Sequence, residues 1–181
     1  MAEAPKTPQG GAATPPNQAN PPRLTIQTQY VKDLSFENPR APSSLEPGQP
    51  RPEIQVRVDV RAQPSSGERY EVVLQLHIEA QAGGETGFIL ELSYGGVFGL
   101  LNIPSESLQV LLLIECPRLL FPFARRIIAD ATRDGGFPPL MLDPIDFVAL
   151  YRRRQQQAQE QGQQSPAGEA VPNPIVGDGT A

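Results

Sequence analysis

The stretch Arg69-Tyr70-Glu71-Val72-Val73-Leu74-Gln75-Leu76-His77-Ile78-Glu79-Ala80-Gln81 places Tyr70, Val72, Leu74, Leu76 and Ile78 at even positions. Successive side chains of a strand point to opposite faces, so this segment predicts a strand with one apolar and one polar face. The same parity recurs on either side. Before it come Leu24, Ile26, Tyr30, Leu34 and Phe36, then Ile54, Val56, Val58 and Val60; after it come Phe88, Leu90, Leu92 and Tyr94. Four strands with apolar even faces make a one-sided sheet, which needs a cover.

The connections suggest the topology. Strand one, about Leu24 to Phe36, ends at Asn38-Pro39-Arg40-Ala41-Pro42, and a crossover through Pro47, Pro50 and Pro52 follows. Pro64-Ser65-Ser66-Gly67 and Gly83-Gly84 are short turns, the second a hairpin signal because both glycines tolerate positive φ. Strands two (Glu53 to Arg61), three (Arg69 to Gln81) and four (Glu85 to Tyr94) are therefore expected as an antiparallel meander, with Gly95-Gly96 ending the last. After Pro104 the apolar period changes to that of a helix. Ser105 or Ser107 is the expected cap of a first helix through Leu108 to Glu115, which Cys116-Pro117 interrupts. Leu119, Leu120, Phe123, Ala124, Ile127, Ile128 and Ala131 define the apolar stripe of a second helix, with Pro122 expected near its first turn. Gly135-Gly136 stops it, and Asp143-Pro144 is expected to open a last helix with Phe147, Leu150 and Tyr151 facing inward. The class is α+β: a four-stranded antiparallel sheet with helices packed on one face. The run Val110–Ile114 is apolar all round, which predicts burial between subunits and hence an oligomer.

The chain has 181 residues. Residues 1–23 and 155–181 are rich in Pro, Gly, Ala and Gln without an apolar period, and both are expected to be disordered. One domain remains, over residues 24–154. Net charge is −5 and pI about 4.9, so an acidic domain without a basic stripe argues against nucleic acid. Arg152-Arg153-Arg154 is expected at a helix end, complementing its dipole. The apolar run Val110–Ile114 is too short for a bilayer and the N-terminus has no signal-like stretch. The single cysteine forbids an internal disulfide, and a soluble, intracellular protein without membrane insertion is expected.

No residue cluster assembles recognisable chemistry, and no cofactor or metal is expected. His77 is the single histidine and projects from the polar face, an exposed strand residue lacking the second ligand or acid that catalysis would need. Cys116 has no base or orienting group near it in sequence and fits a small buried side chain. Gly95-Gly96-Val97-Phe98-Gly99 lacks the Lys-Ser/Thr ending of a phosphate loop. It is expected as a bend or flexible lip, with Tyr94 and Phe98 either binding apolar groups or packing in the core. Asp33, Glu37 and Glu91 share the polar face with the apolar Ile89. They are either a solvated face or a site for a basic partner.

Tyr30-Val31-Lys32-Asp33-Leu34-Ser35-Phe36-Glu37-Asn38-Pro39-Arg40-Ala41-Pro42 resembles the Y-x-K-D-x-S-F-E-x-P-x-A-P signature of SecB, the bacterial protein-export chaperone family. The resemblance continues in Tyr70-Glu71-Val72-Val73-Leu74, in Gly95-Gly96-Val97-Phe98, in Cys116-Pro117-Arg118-Leu119-Leu120-Phe121-Pro122-Phe123-Ala124-Arg125 and in Gly136-Phe137-Pro138-Pro139-Leu140, covering roughly residues 24–151. It implies a homotetramer, a dimer of dimers in the cytoplasm, that holds precursor proteins unfolded without ATP and delivers them to the motor ATPase SecA. By position it implies a SecA-facing patch at Asp33, Glu37, Ile89 and Glu91. It implies a client groove between sheet, crossover and helices, with Tyr30, Phe36, Tyr94, Phe98 and Phe123 as candidate aromatic lining. A SecB-like chaperone dedicated to a narrow client such as an antitoxin is the alternative. An enzyme using His77 or Cys116 and a purely structural oligomer are the remaining rivals.

Overall fold

A computed structural model describes residues 21–163. Four strands, β1 (Arg23–Glu37), β2 (Glu53–Pro64), β3 (Arg69–Ala82) and β4 (Glu85–Leu101), form one antiparallel sheet in the order β1-β4-β3-β2. The meander of β2, β3 and β4 is as the short turns imply, and Gly83 and Gly84 both take positive φ, 62° and 82°. β1 pairs with β4 on the far side, and the crossover that leads from it to β2 holds a 3₁₀ turn at Ser43–Leu45.

The even face of β2, β3 and β4 is the core face. Leu74, Ile78, Leu90 and Phe98 are completely buried there, with Leu76 and Leu92 nearly so. β4 does not stop at Gly95-Gly96 but runs seven residues beyond Tyr94, paired on both sides. The missing side chains are what keep the strand in place. A Cβ on Gly95 would stand 2.9 Å from the Tyr30 ring, and one on Gly96 would stand 2.8 Å from Leu120 Cδ2. The glycines are thus central strand positions over which large side chains lie, not a flexible lip.

The cover is a helical run, α1 (Ser105–Val110), a π-helical stretch (Leu111–Glu115) and α2 (Cys116–Asp134), followed by α3 (Phe147–Gln163). Cys116-Pro117 does not interrupt it. Pro117 cannot donate an amide to the preceding turn, and the π-helical stretch before it re-routes the bonding so that the helix continues. Pro122 therefore lies inside a long helix, with its side chain toward solvent, rather than near a helix start. Ser105–Asp134 is 30 residues long and apolar enough to cross a membrane, but here Leu112, Ile114, Leu120, Ala124 and Ile128 pack on the sheet. Neither serine caps α1: Pro104 holds the cap position, without a side-chain bond.

α2 ends in a Schellman motif. Gly136, at φ 87°, donates to Arg133 O at 3.0 Å, and Phe137 donates to Thr132 O at 3.0 Å. α3 begins at Phe147, later than expected. Asp146, not Asp143, is its cap, with Oδ1 accepting from the Ala149 amide at 3.0 Å. The helix continues to Gln163, past the expected boundary at Arg154, so the arginine triplet is interior to it. Arg154 reaches back to the free edge of the sheet and donates to Val60 O at 2.7 Å. Of the segments expected to be disordered, 1–23 and 155–181, Arg23 opens β1 and residues 155–163 belong to α3, while 1–20 and 164–181 lie outside the described residues.

Candidate functional site

The two sides of the sheet differ in what covers them. Among the described residues, the odd side carries no helix. Its register sets Glu37 beside Ile89, Ser35 beside Glu91, and Asp33 beside Ser93 across the β1–β4 ladder. Asp33, Glu37 and Glu91 are exposed and Ile89 is half-buried. His77 lies across from Glu91 on β3, with Nδ1 2.9 Å from Glu91 Oε1. The four residues named for a partner patch thus share one open surface.

Tyr30 lies on this side too, contrary to its parity. Two irregularities in β1, between Ile26 and Thr28 and between Val31 and Asp33, shift the register against β4. The residues between them change face, so that Tyr30 pairs with Gly95 while Val31 takes the core side opposite Tyr94. The Tyr30 hydroxyl donates to Glu71, and Lys32 Nζ reaches both oxygens of that carboxylate at 2.8 and 3.0 Å. The Lys32 ammonium first, then the Tyr30 hydroxyl, holds Glu71 below the ordinary carboxylate range. Burial, then the bond to Glu71, pushes the Tyr30 phenol up to about 12. Tyr30 is therefore a fixed, protonated donor on the open face and is removed from the candidate groove lining.

On the covered side, the end of the sheet near the β3–β4 hairpin is left open. A groove of about 470 Å³ lies there between the crossover (Leu45, Pro50, Pro52), the sheet (Ile54, Ala80, Phe88) and the segment after α2 (Phe137, Pro138, Pro139, Leu140). Phe88 forms part of its floor, 4.9 Å from the Phe137 ring and 5.5 Å from the Phe36 ring, which itself lies behind the lining. The crossover is tied down by Arg40 Nη1 to Glu85 Oε2 at 2.7 Å and by Ser44 Oγ donating to Asn38 Oδ1 at 2.8 Å.

The other sequence-named aromatics part company. Tyr94 and Phe123 stack at 6.4 Å in a separate pair, with Phe123 45% exposed. Phe98 is 0% exposed and belongs to the core, which settles its two alternatives in favour of packing. Phe137, Leu45 and Leu140 escaped sequence reasoning because the aperiodic loop and crossover give them no face. The available signal was a pair of apolar residues bracketing Pro138-Pro139 immediately after a helix stop. Cys116 is 0% exposed, and burial, helped by Glu115, pushes its thiol up to about 12, far from the thiolate that a nucleophile needs.

A one-sided sheet with a solvent-open apolar groove on its covered side and carboxylates on its bare side defines a binding scaffold. The chain belongs to the SecB family of protein-export chaperones: the family model described as preprotein translocase subunit SecB matches residues 17–158. It is 55% identical over 155 residues to the protein-export protein SecB of Rhodopseudomonas palustris strain HaA2, covering 86% of this chain and 98% of that one. To the protein-export protein SecB of Parvibaculum lavamentivorans it is 57% identical over 137 residues, 76% of this chain and 82% of that one. Its fold is similar to that of a Mycobacterium tuberculosis SecB-like chaperone in complex with a ChAD peptide from the HigA1 antitoxin. The TM-score is 0.54 with 20% identity, over 68% of this chain and 91% of that one.

Proposed function

We propose that this chain holds precursor proteins unfolded by taking their apolar side chains into the groove between crossover, sheet and the segment after α2. The observation that carries this is an aromatic-floored groove open to solvent in a SecB-family chain. An unfolded client displays apolar side chains that a folded one hides. Each large side chain seated in such a groove contributes about 1.5–3 kcal/mol. Several such contacts on one scaffold add through effective concentration, with no nucleotide required. Fast folders bury their own apolar surface first and escape.

The working assembly is a cytoplasmic homotetramer. Ile26, Val31 and Leu34 on the core side of β1, with Val110, Leu119 and Phe123 on the helices, are each 40–47% exposed in the single chain. That much uncovered apolar surface supports burial between copies and continuation of the groove around them. Delivery uses the open sheet face: Asp33, Glu37 and Glu91 around Ile89 favour a basic surface bearing an apolar contact, and SecA is the partner. No membrane insertion and no catalysis are involved.

The test is refolding of a slow-folding precursor diluted from denaturant, with and without the protein and without nucleotide. Arrest of refolding at a fixed stoichiometry is expected. Refolding at the unassisted rate contradicts the proposal.

A further inference from the structure

Resting on that reading of the groove, we infer that Thr132 is a positioning residue that holds the Phe137–Leu140 wall in its binding shape. This segment contains Pro138 and Pro139, which have no amide hydrogen, so it owns two backbone donors, at Phe137 and Leu140. Both end on Thr132. The Phe137 amide donates to the Thr132 carbonyl at 3.0 Å, and the Leu140 amide donates to the Thr132 hydroxyl at 2.9 Å. The hydroxyl in turn donates back to its own helix, to Ile128 O at 2.9 Å and Ala129 O at 3.1 Å.

The first of these bonds belongs to the helix stop and needs no particular side chain. The second does: a buried hydroxyl must stand at this position, able to donate to the helix and accept from the loop at once. Thr132 is 0% exposed, the polar side chain in the buried set among the described residues. A buried polar group is tolerated only where it is bonded, and here its bonds run to the loop that lines the groove. With its middle residues unable to donate, the wall has no other main-chain hydrogen bond among the described residues. Losing the hydroxyl frees Leu140 and lets the Phe137 ring drift from Phe88, against which it now lies at 4.9 Å.

The test compares Thr132→Val, which keeps the shape and removes the hydroxyl, with Thr132→Ser, which keeps the hydroxyl. Binding is read by anisotropy with fluorescein-labelled, reduced and carboxymethylated α-lactalbumin, which stays unfolded, and the Leu140 amide is followed by hydrogen exchange. Thr132→Val is expected to weaken binding about tenfold and to accelerate Leu140 exchange by at least that factor. Thr132→Ser is expected to remain within about twofold of wild type in both readouts. Wild-type binding in Thr132→Val overturns the role of Thr132, as does equal loss in the two variants, which would mark a packing effect. Should Thr132→Val not fold, the wild-type protein decides: an unprotected Leu140 amide overturns the inference and a protected one, with Thr132→Ser binding normally, upholds it. Failure of the wild type to bind the probe at all contradicts the function proposed for the groove instead.

Discussion

Gly135→Ala tests whether the aromatic cluster behind the groove is as tightly set as its geometry implies. Gly135 caps α2 at φ −74° and ψ 1°, which alanine adopts without strain. The obstacle is Phe36: a Cβ at position 135 would stand 2.3 Å from its Cζ and 2.4 Å from its Cε1. Carbon atoms pack at about 3.5–4.0 Å, so the ring must retreat by roughly 1 Å or more. It has little room to do so, with Phe88 stacked at 5.5 Å and Phe137 at 6.4 Å. Overpacking of this kind costs about 1–3 kcal/mol. The alanine recovers about 0.4–1 kcal/mol by restricting the unfolded chain. At mid-range the expected net loss is therefore about 1.3 kcal/mol, read by urea unfolding at one fixed protein concentration, because association shifts the midpoint. Phe36→Leu in the same chain removes the colliding ring edge, so the double variant should recover at least about 0.5 kcal/mol relative to the sum of the single losses. Wild-type stability in Gly135→Ala, or strict additivity in the double variant, would refute the reasoning.

Further expectations concern the two surfaces separately. Glu91→Lys reverses a charge at the centre of the acidic patch and should weaken SecA binding at least about tenfold at low salt while leaving capture of unfolded chains unchanged, as titration calorimetry with purified SecA would show. Unchanged SecA affinity would remove the patch assignment. Phe137→Ala, by contrast, should weaken binding of the unfolded probe about tenfold and leave SecA binding intact; Tyr30→Phe should leave probe binding unchanged, since that ring lies on the opposite side of the sheet. Glu71 is held below its ordinary value of 4.5, so its contribution is complete above that value and is lost as pH falls through the lower folded-state one. The wild type should accordingly lose stability below about pH 4.5 more steeply than Glu71→Gln, and parallel acid-side slopes in urea midpoints would contradict this.

The sheet was legible where one rule governed it. In β2, β3 and β4 the period of two alone decides the face, and burial follows it from Val60 through Ile78 to Leu92. It failed in the middle of β1, where two register shifts depend on pairing with β4, a partner some sixty residues away that no local pattern encodes. Gly95 and Gly96 misled for a related reason: glycine commonly marks a bend, but here it clears space for Tyr30 and Leu120, whose arrival is a tertiary event. Pro117 looked like a break because sequence does not announce a π-helical stretch that absorbs it. Asp33, Glu37, Ile89 and Glu91 keep the face that parity gives them because they lie outside the shifted stretch of β1. The groove was visible only through family resemblance, since its walls are a crossover and a proline-containing loop brought together by the Schellman motif and by the hydroxyl of Thr132.

The central claim is that the protein distinguishes unfolded from folded chains by surface alone. Fluorescence anisotropy with one labelled precursor tests it most directly, comparing the precursor freshly diluted from denaturant with the same precursor already folded, without nucleotide. Binding of the unfolded form only, reduced by Phe137→Ala, is the predicted result. Equal binding of both forms, or of neither, would contradict it.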